Sequence, residues 1–216
     1  MEKKDKYLVL TADIEGSKQL DDSDRKIVQE KLRQGLDELN EQDRAITSQY
    51  SITMGDEFQA VLSSADYLFD DVWHIMAGLH PVMVRFSVGI GSIATSIERE
   101  QVLGMDGPAF HVAREGIDTL KKGESLFRIT MENEDTPELR VINNSLHLLS
   151  KEIRSWNSNR VALMHLIRTG IDYKEISKSL GISEQSFYKN KDAGSLDLVN
   201  ALFEGIQDYI NNQLNR

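Results

Sequence analysis

An α/β (α+β) domain followed by an all-helical region is the fold class this sequence predicts, and three observations predict it. Short apolar runs of strand type alternate with helical patterns as far as residue 130. One tight hairpin, at Met54-Gly55-Asp56-Glu57, joins two of those runs. The acidic, turn-prone stretch 133–137 (NEDTP) then ends the alternation, and every later segment reads as helix.

The elements follow in order. Residues 7–12 (YLVLTA) form a β-type run that stops at Asp13 and the turn Glu15-Gly16-Ser17. Residues 21–24 can cap a helix running to about residue 40, with Ile27, Leu32, Leu36 and Leu39 on one side. Residues 45–53 and 58–62 are the hairpin strands, and residues 65–77 a helix in which Trp73 reads as core and His74 as surface. Residues 82–91 (VMVRFSVGIG) alternate as a strand should. A helix over 107–122 ends at Gly123, and residues 126–130 are a final strand. The order β-α-β-β-α-β-α-β calls for a sheet with helices packed on it. Helices are expected over 139–156, 160–169, 173–180, 184–192 and 196–214.

Composition bounds the function. Forty per cent apolar residues supports a true core, and with no cysteine there is neither a disulfide nor a thiolate metal site. The N-terminal apolar run comes too early and is too brief for a signal peptide, and no stretch approaches the roughly 18 apolar residues of a membrane span. A cytoplasmic location and no membrane partner are therefore expected. The net charge of −10 is uneven. From residue 141 onward nine Lys and Arg face eight Asp and Glu, whereas the first 140 residues hold 16 basic and 27 acidic groups. Phosphates bind cations, so any DNA contact belongs to the C-terminal third.

Two carboxylates stand out: Asp13, which ends the apolar run in LVLTADIEGS, and Asp56 in the hairpin SITMGDEFQAVL. If the hairpin lies beside the first strand, the pair comes close enough to share Mg²⁺, about 4–6 Å apart, as hard cations prefer oxygen ligands. The backbone through Ile14, Glu15, Gly16 and Ser17 could then face nucleotide phosphates, with Gly55 nearby. Each feature alone is ordinary turn chemistry. LVLTADIEGS resembles the first-strand motif of class III nucleotidyl cyclases. SITMGDEFQAVL resembles their second motif and the hairpin of GGDEF diguanylate cyclases, and FSVGIG a later strand of both.

The whole chain is similar to the SatD family of bacterial proteins, sharing ADI-x-GS, GDEFQ and a helical C-terminal region. These resemblances imply a ferredoxin-like, cyclase-type domain over residues 1–135, with Asp13 and Asp56 as metal ligands, and a second domain over 136–216. The cyclase pattern is departed from elsewhere. Its base-selecting Lys is Ile52 here, its transition-state Asn falls on His111 and its Arg on Glu115, with Arg114 one place off. The first Gly of GGDEF is Met54. His111 and Arg114 lie three apart on one helix face and could reach a nucleotide, or form a solvated polar pair. Efficient cyclisation is not expected without the transition-state charge.

The C-terminal pattern Ile176, Leu180, Gly181, Ile182 is that of a helix-turn-helix, with Gly at the tight turn and Ser183 capping the next helix. That helix would offer Gln185, Ser186, Tyr188, Lys189 and Lys191 to DNA, with Phe187 behind. The same unit serves equally for packing or dimerisation. One copy carries few cations, so a homodimer is expected. Its natural element is the last helix, with Leu198, Leu202, Ile206, Tyr209 and Ile210 along one stripe, unless that stripe packs back on its own chain.

Overall fold

A computed structural model of the chain describes residues 5–42 and 44–215. Residues 1–4, which open the segment read above for a signal peptide, lie outside the described residues. The order is β1 (Lys6–Ile14), α1 (Asp22–Asn40), β2 (Ile46–Met54), β3 (Glu57–Leu62), α2 (Leu68–Leu79), β4 (Val84–Ser92), α3 (Pro108–Leu120) and β5 (Phe127–Met131). Helices α4 (Pro137–Ile153), α5 (Ser158–Arg168), α6 (Tyr173–Leu180), α7 (Glu184–Ala193) and α8 (Leu196–Leu214) follow. The predicted mixture of one sheet and many helices is the observed fold class.

The strands form one sheet in the order β2-β3-β1-β4-β5, antiparallel except for β4 with β5. A parallel pair needs a crossover, and α3 supplies it. Alternation along β1 divides the faces. Leu8, Leu10, Ala12 and Ile14 join the main core with α1 and α2, whereas Val9 joins Val61 and α3's Ala109 and Ala113 on the other side. Close approach of α3 depends on glycine: a Cβ on Gly89 would collide with Ala109 and Ala113, and one on Gly116 with Ser87.

Both sheet edges are closed by an asparagine side chain. Asn40 of α1 accepts from the Tyr50 N–H (2.8 Å) and donates to its carbonyl (2.9 Å). Asn143 of α4 does the same for Ile129 of β5, at 2.9 and 2.8 Å. Each amide stands in for a missing strand and blunts the edge against pairing with another chain.

One apolar core runs from the sheet across residues 133–137 into the later helices. Phe203 of α8 meets the rings of Phe69, Trp73 and Phe127 at 4.5, 5.8 and 5.6 Å, and Trp156 stacks on Trp73 at 5.7 Å. Helix α8 buries Leu196, Val199, Phe203, Ile206 and Ile210 in its own chain. That places Ile206 and Ile210 of the stripe expected at a dimer interface inside the molecule, and leaves Leu198 exposed. Helix α1 buries Val28 where Ile27 was expected, since Leu32, Leu36 and Leu39 continue the phase of residue 28. His74 is half-buried rather than on the surface, because α5 packs over α2.

Candidate functional site

The end of β1 is built from charged side chains that alternate in sign. Register places Asp13 opposite Glu57 of β3 and Arg85 of β4. Arg85 donates to Asp13 (3.2 Å) and to Glu15 (2.6 Å). Lys121, just past α3, reaches Asp13 at 2.9 Å and Glu57 at 3.6 Å. Arg114 clamps Glu57 with two nitrogens, at 2.5 and 2.6 Å. From the end of α4, Arg154 clamps Glu15 at 2.6 and 3.1 Å. The result is a continuous chain: Arg114, Glu57, Lys121, Asp13, Arg85, Glu15, Arg154. Asp13 and Glu57 are buried, and Lys121 and Arg114 are its more open members.

Burial works to raise the Glu15 carboxyl, but the Arg154 hydrogen bond and the charges of Arg85 and Arg154 outweigh it and hold the group below its ordinary value. Arg114 is pushed above its ordinary value, chiefly by its bond to Glu57.

Register pairs Asp13 with Glu57, and Asp56 lies one residue earlier, in the turn beside Ile14. Asp56 accepts a hydrogen bond from Ser17 in a separate recess of about 200 Å³, lined by Ile14, Leu20, Val28 and Gly55 among others. Glu57 is the first residue of β3 to pair with β1. The carboxylates of Asp13 and Glu57 are engaged by cations of the same chain. Both oxygens of Asp13 are taken by Arg85 and Lys121, and both of Glu57 by Arg114. Among the described residues no three His, Asp or Glu side chains are grouped to hold a metal.

The expected phosphate-facing backbone is also committed in part, since the Ile14 and Glu15 amides donate to the carbonyls of Asp56 (3.4 Å) and Met83 (2.8 Å). Gly16 takes the left-handed conformation, φ 70°, ahead of a single 3-10 turn at Ser17–Gln19. His111 and Arg114 part company: Arg114 enters the charge chain, while His111 is exposed and bonds Asp106 at 2.7 Å.

Sequence reasoning missed Glu57, Arg85, Lys121 and Arg154. Arg85 had a signal, since it breaks the apolar alternation of VMVRFSVGIG. Lys121 and Arg154 arrive from more than a hundred residues away and had none.

In the C-terminal part, α5, α6 and α7 pack on one another. Asp172 caps α6, accepting from Lys174 and Glu175. Gly181 turns the chain at φ 62°, and the Ile182 N–H returns to the Ser177 carbonyl at 3.0 Å. Ser183 caps α7 by accepting from the Ser186 N–H. Val161, Ile176 and Phe187 are buried behind α7, with Leu180 and Ile182 half-buried beside them. Gln185, Tyr188 and Lys189 are exposed on one side. Ser186 is half-buried against Asn190, and Lys191 is half-buried and tied to Asp197 at 3.0 Å. No helix among the described residues is long and apolar enough to cross a membrane.

No curated protein matches the chain. The sequence model of the SatD family matches residues 7–200. That span takes in β1, the charge chain and the helices through α7, and on it the chain belongs to the SatD family.

Proposed function

We propose that this protein is a regulator that reads duplex DNA through α6 and α7, with the sheet and its cyclase-like motifs serving as scaffold rather than as an efficient cyclase. The observation that carries this reading is the outward row of α7. Gln185 and Lys189 have no partner among the described residues, while Phe187, between them, is buried and fixes the helix. Glutamine can read adenine edges and lysine can meet phosphate or guanine, the mixture a recognition helix needs. The charge chain speaks against turnover in the same way, because its carboxylates are neutralised by the chain's own Lys and Arg. The recess at Ser17 and Asp56 has room for a phosphate-sized group, being below the roughly 300 Å³ of a typical small-molecule pocket.

A homodimer belongs to this reading. One α7 offers few cations, and a two-fold pair doubles the phosphate contacts, with recognition helices about 34–36 Å apart. The test is selection from random duplex DNA at modest salt, repeated with Gln185→Ala and Lys189→Ala. The expected result is a palindromic site enriched by the wild type, enriched more weakly by Lys189→Ala, and with preference relaxed at one base pair by Gln185→Ala. No enrichment, from a folded protein, would reject DNA reading.

A further inference from the structure

A second cavity lies where α5 crosses α1 and α2, well apart from the charge chain. It holds about 340 Å³, within the range of small-molecule sites. Its floor is apolar: Leu32, Ile75 and Leu79. Its rim carries Lys31 and Glu38 from α1, His74 from α2 and His165 from α5.

Two glycines keep it open. Gly35 lies within α1 and Gly78 in the last turn of α2, where a glycine weakens a helix relative to alanine. Packing does not demand either one. A Cβ on Gly78 would meet nothing within 4 Å, and one on Gly35 only the His74 ring, at an ordinary 3.7 Å. The space they leave is therefore spare in the chain on its own.

The polar groups are placed as two ends. Lys31 makes no ion pair or hydrogen bond among the described residues. Seven residues along α1, roughly 10 Å at helical rise, Glu38 pairs with His74 (3.2 Å), whose ring meets that of His165 edge-on at 5.3 Å. The Nδ1 of His165 is buried and has no hydrogen-bond partner. A buried unpaired nitrogen calls for a partner. Burial, with the charges of His74 and Arg44, lowers the His165 pKa to about 4, so near neutrality that ring is uncharged and can accept or donate.

We infer that this cavity binds a small aryl carboxylic acid, its carboxylate at Lys31, its ring on the apolar floor, and a hydroxyl at the His165 end. The inference does not depend on DNA reading, and its test measures only the small molecule.

The test is calorimetric titration of the full chain with 3-(4-hydroxyphenyl)propionate, with the same compound as its amide, and with 3-phenylpropionate. The hydroxy acid should bind saturably and at least about fivefold more tightly than the amide, the scale of an exposed ion pair. Gly78→Leu, at a lining position where a Cβ meets nothing within 4 Å, should abolish binding by filling the cavity. Lys31→Met, at an exposed position, should remove the preference for acid over amide while the melting temperature holds. No saturable binding by the wild type, or binding that survives both substitutions, would overturn the inference.

Discussion

At the end of β1 each of Asp13, Glu15 and Glu57 is answered by a cation of the same chain, whereas on the outward side of α7 Gln185 and Lys189 are answered by nothing among the described residues. The two regions hold similar chemistry in opposite states. A buried, paired charge is spent on holding elements together, and its loss leaves partners stranded. An exposed, unpaired one contributes little to stability and stays open to a ligand. On the proposed reading the sheet end, although it carries the motifs that look most like a catalytic site, is the structural region, and α7 is the available one.

The sharpest way to break this contrast is to cut both regions and compare stability. Phe187→Ala, on the buried side of α7, should cost about 4 kcal/mol, the range for a core aromatic. Arg85→Ala should cost about 3 kcal/mol, because Asp13 and Glu15 both lose a partner at a buried or half-buried position. Gln185→Ala and Lys189→Ala should each change stability by less than about 0.5 kcal/mol. Denaturant unfolding reads all four. A cost at Lys189 equal to that at Arg85 would erase the distinction between the regions.

Acid provides a second probe, on buried Asp71 of α2 and half-buried His165 of α5. Burial raises the Asp71 carboxyl to about 6, partly offset by Arg44 and Tyr50. Its contribution is fully present below its unfolded value near 3.8 and is lost as pH rises through 6, roughly 3 kcal/mol over that window. His165 has the opposite sign: lowered to about 4, it contributes above 6.5 and loses that contribution as pH falls through 4. The two slopes oppose one another in the wild type. Asp71→Asn should therefore make stability fall more steeply between pH 6.5 and 4, and His165→Gln should flatten the fall. Unfolding midpoints at several pH values check both signs.

The smallest effect concerns chemistry. With ATP or GTP and Mg²⁺ or Mn²⁺, cyclic product should form very slowly or not at all, and Asp13→Asn should make no difference to it. Robust turnover lost in Asp13→Asn would move the sheet end from structural to catalytic.

Most of the elements were legible because local period and turn chemistry fix them, from YLVLTA in β1 to the Gly181 turn. Long-range pairing was not. Asp13 announced itself, but whether Asp56 or Glu57 paired with it depended on a single residue of register, which flips a side chain to the other face. Arg154 joins Glu15 across 139 residues, beyond any local pattern. For α8 the stripe through Leu196, Val199, Phe203, Ile206 and Ile210 was there to be read, with its 3-4 spacing. A stripe does not say whether its partner is the same chain or another, and here it packs on the chain's own sheet and α2.

The central claim is that α7 meets DNA with groups the fold leaves free. The most direct measurement is affinity for the selected duplex across a salt series, for wild type, Gln185→Ala and Lys189→Ala. Lys189→Ala should weaken binding to all sequences alike and lower the salt slope by about one, as loss of one phosphate contact requires. Gln185→Ala should keep the slope and relax preference at one base pair, by about 1–3 kcal/mol. A salt slope and base preference unchanged in both variants would contradict the account.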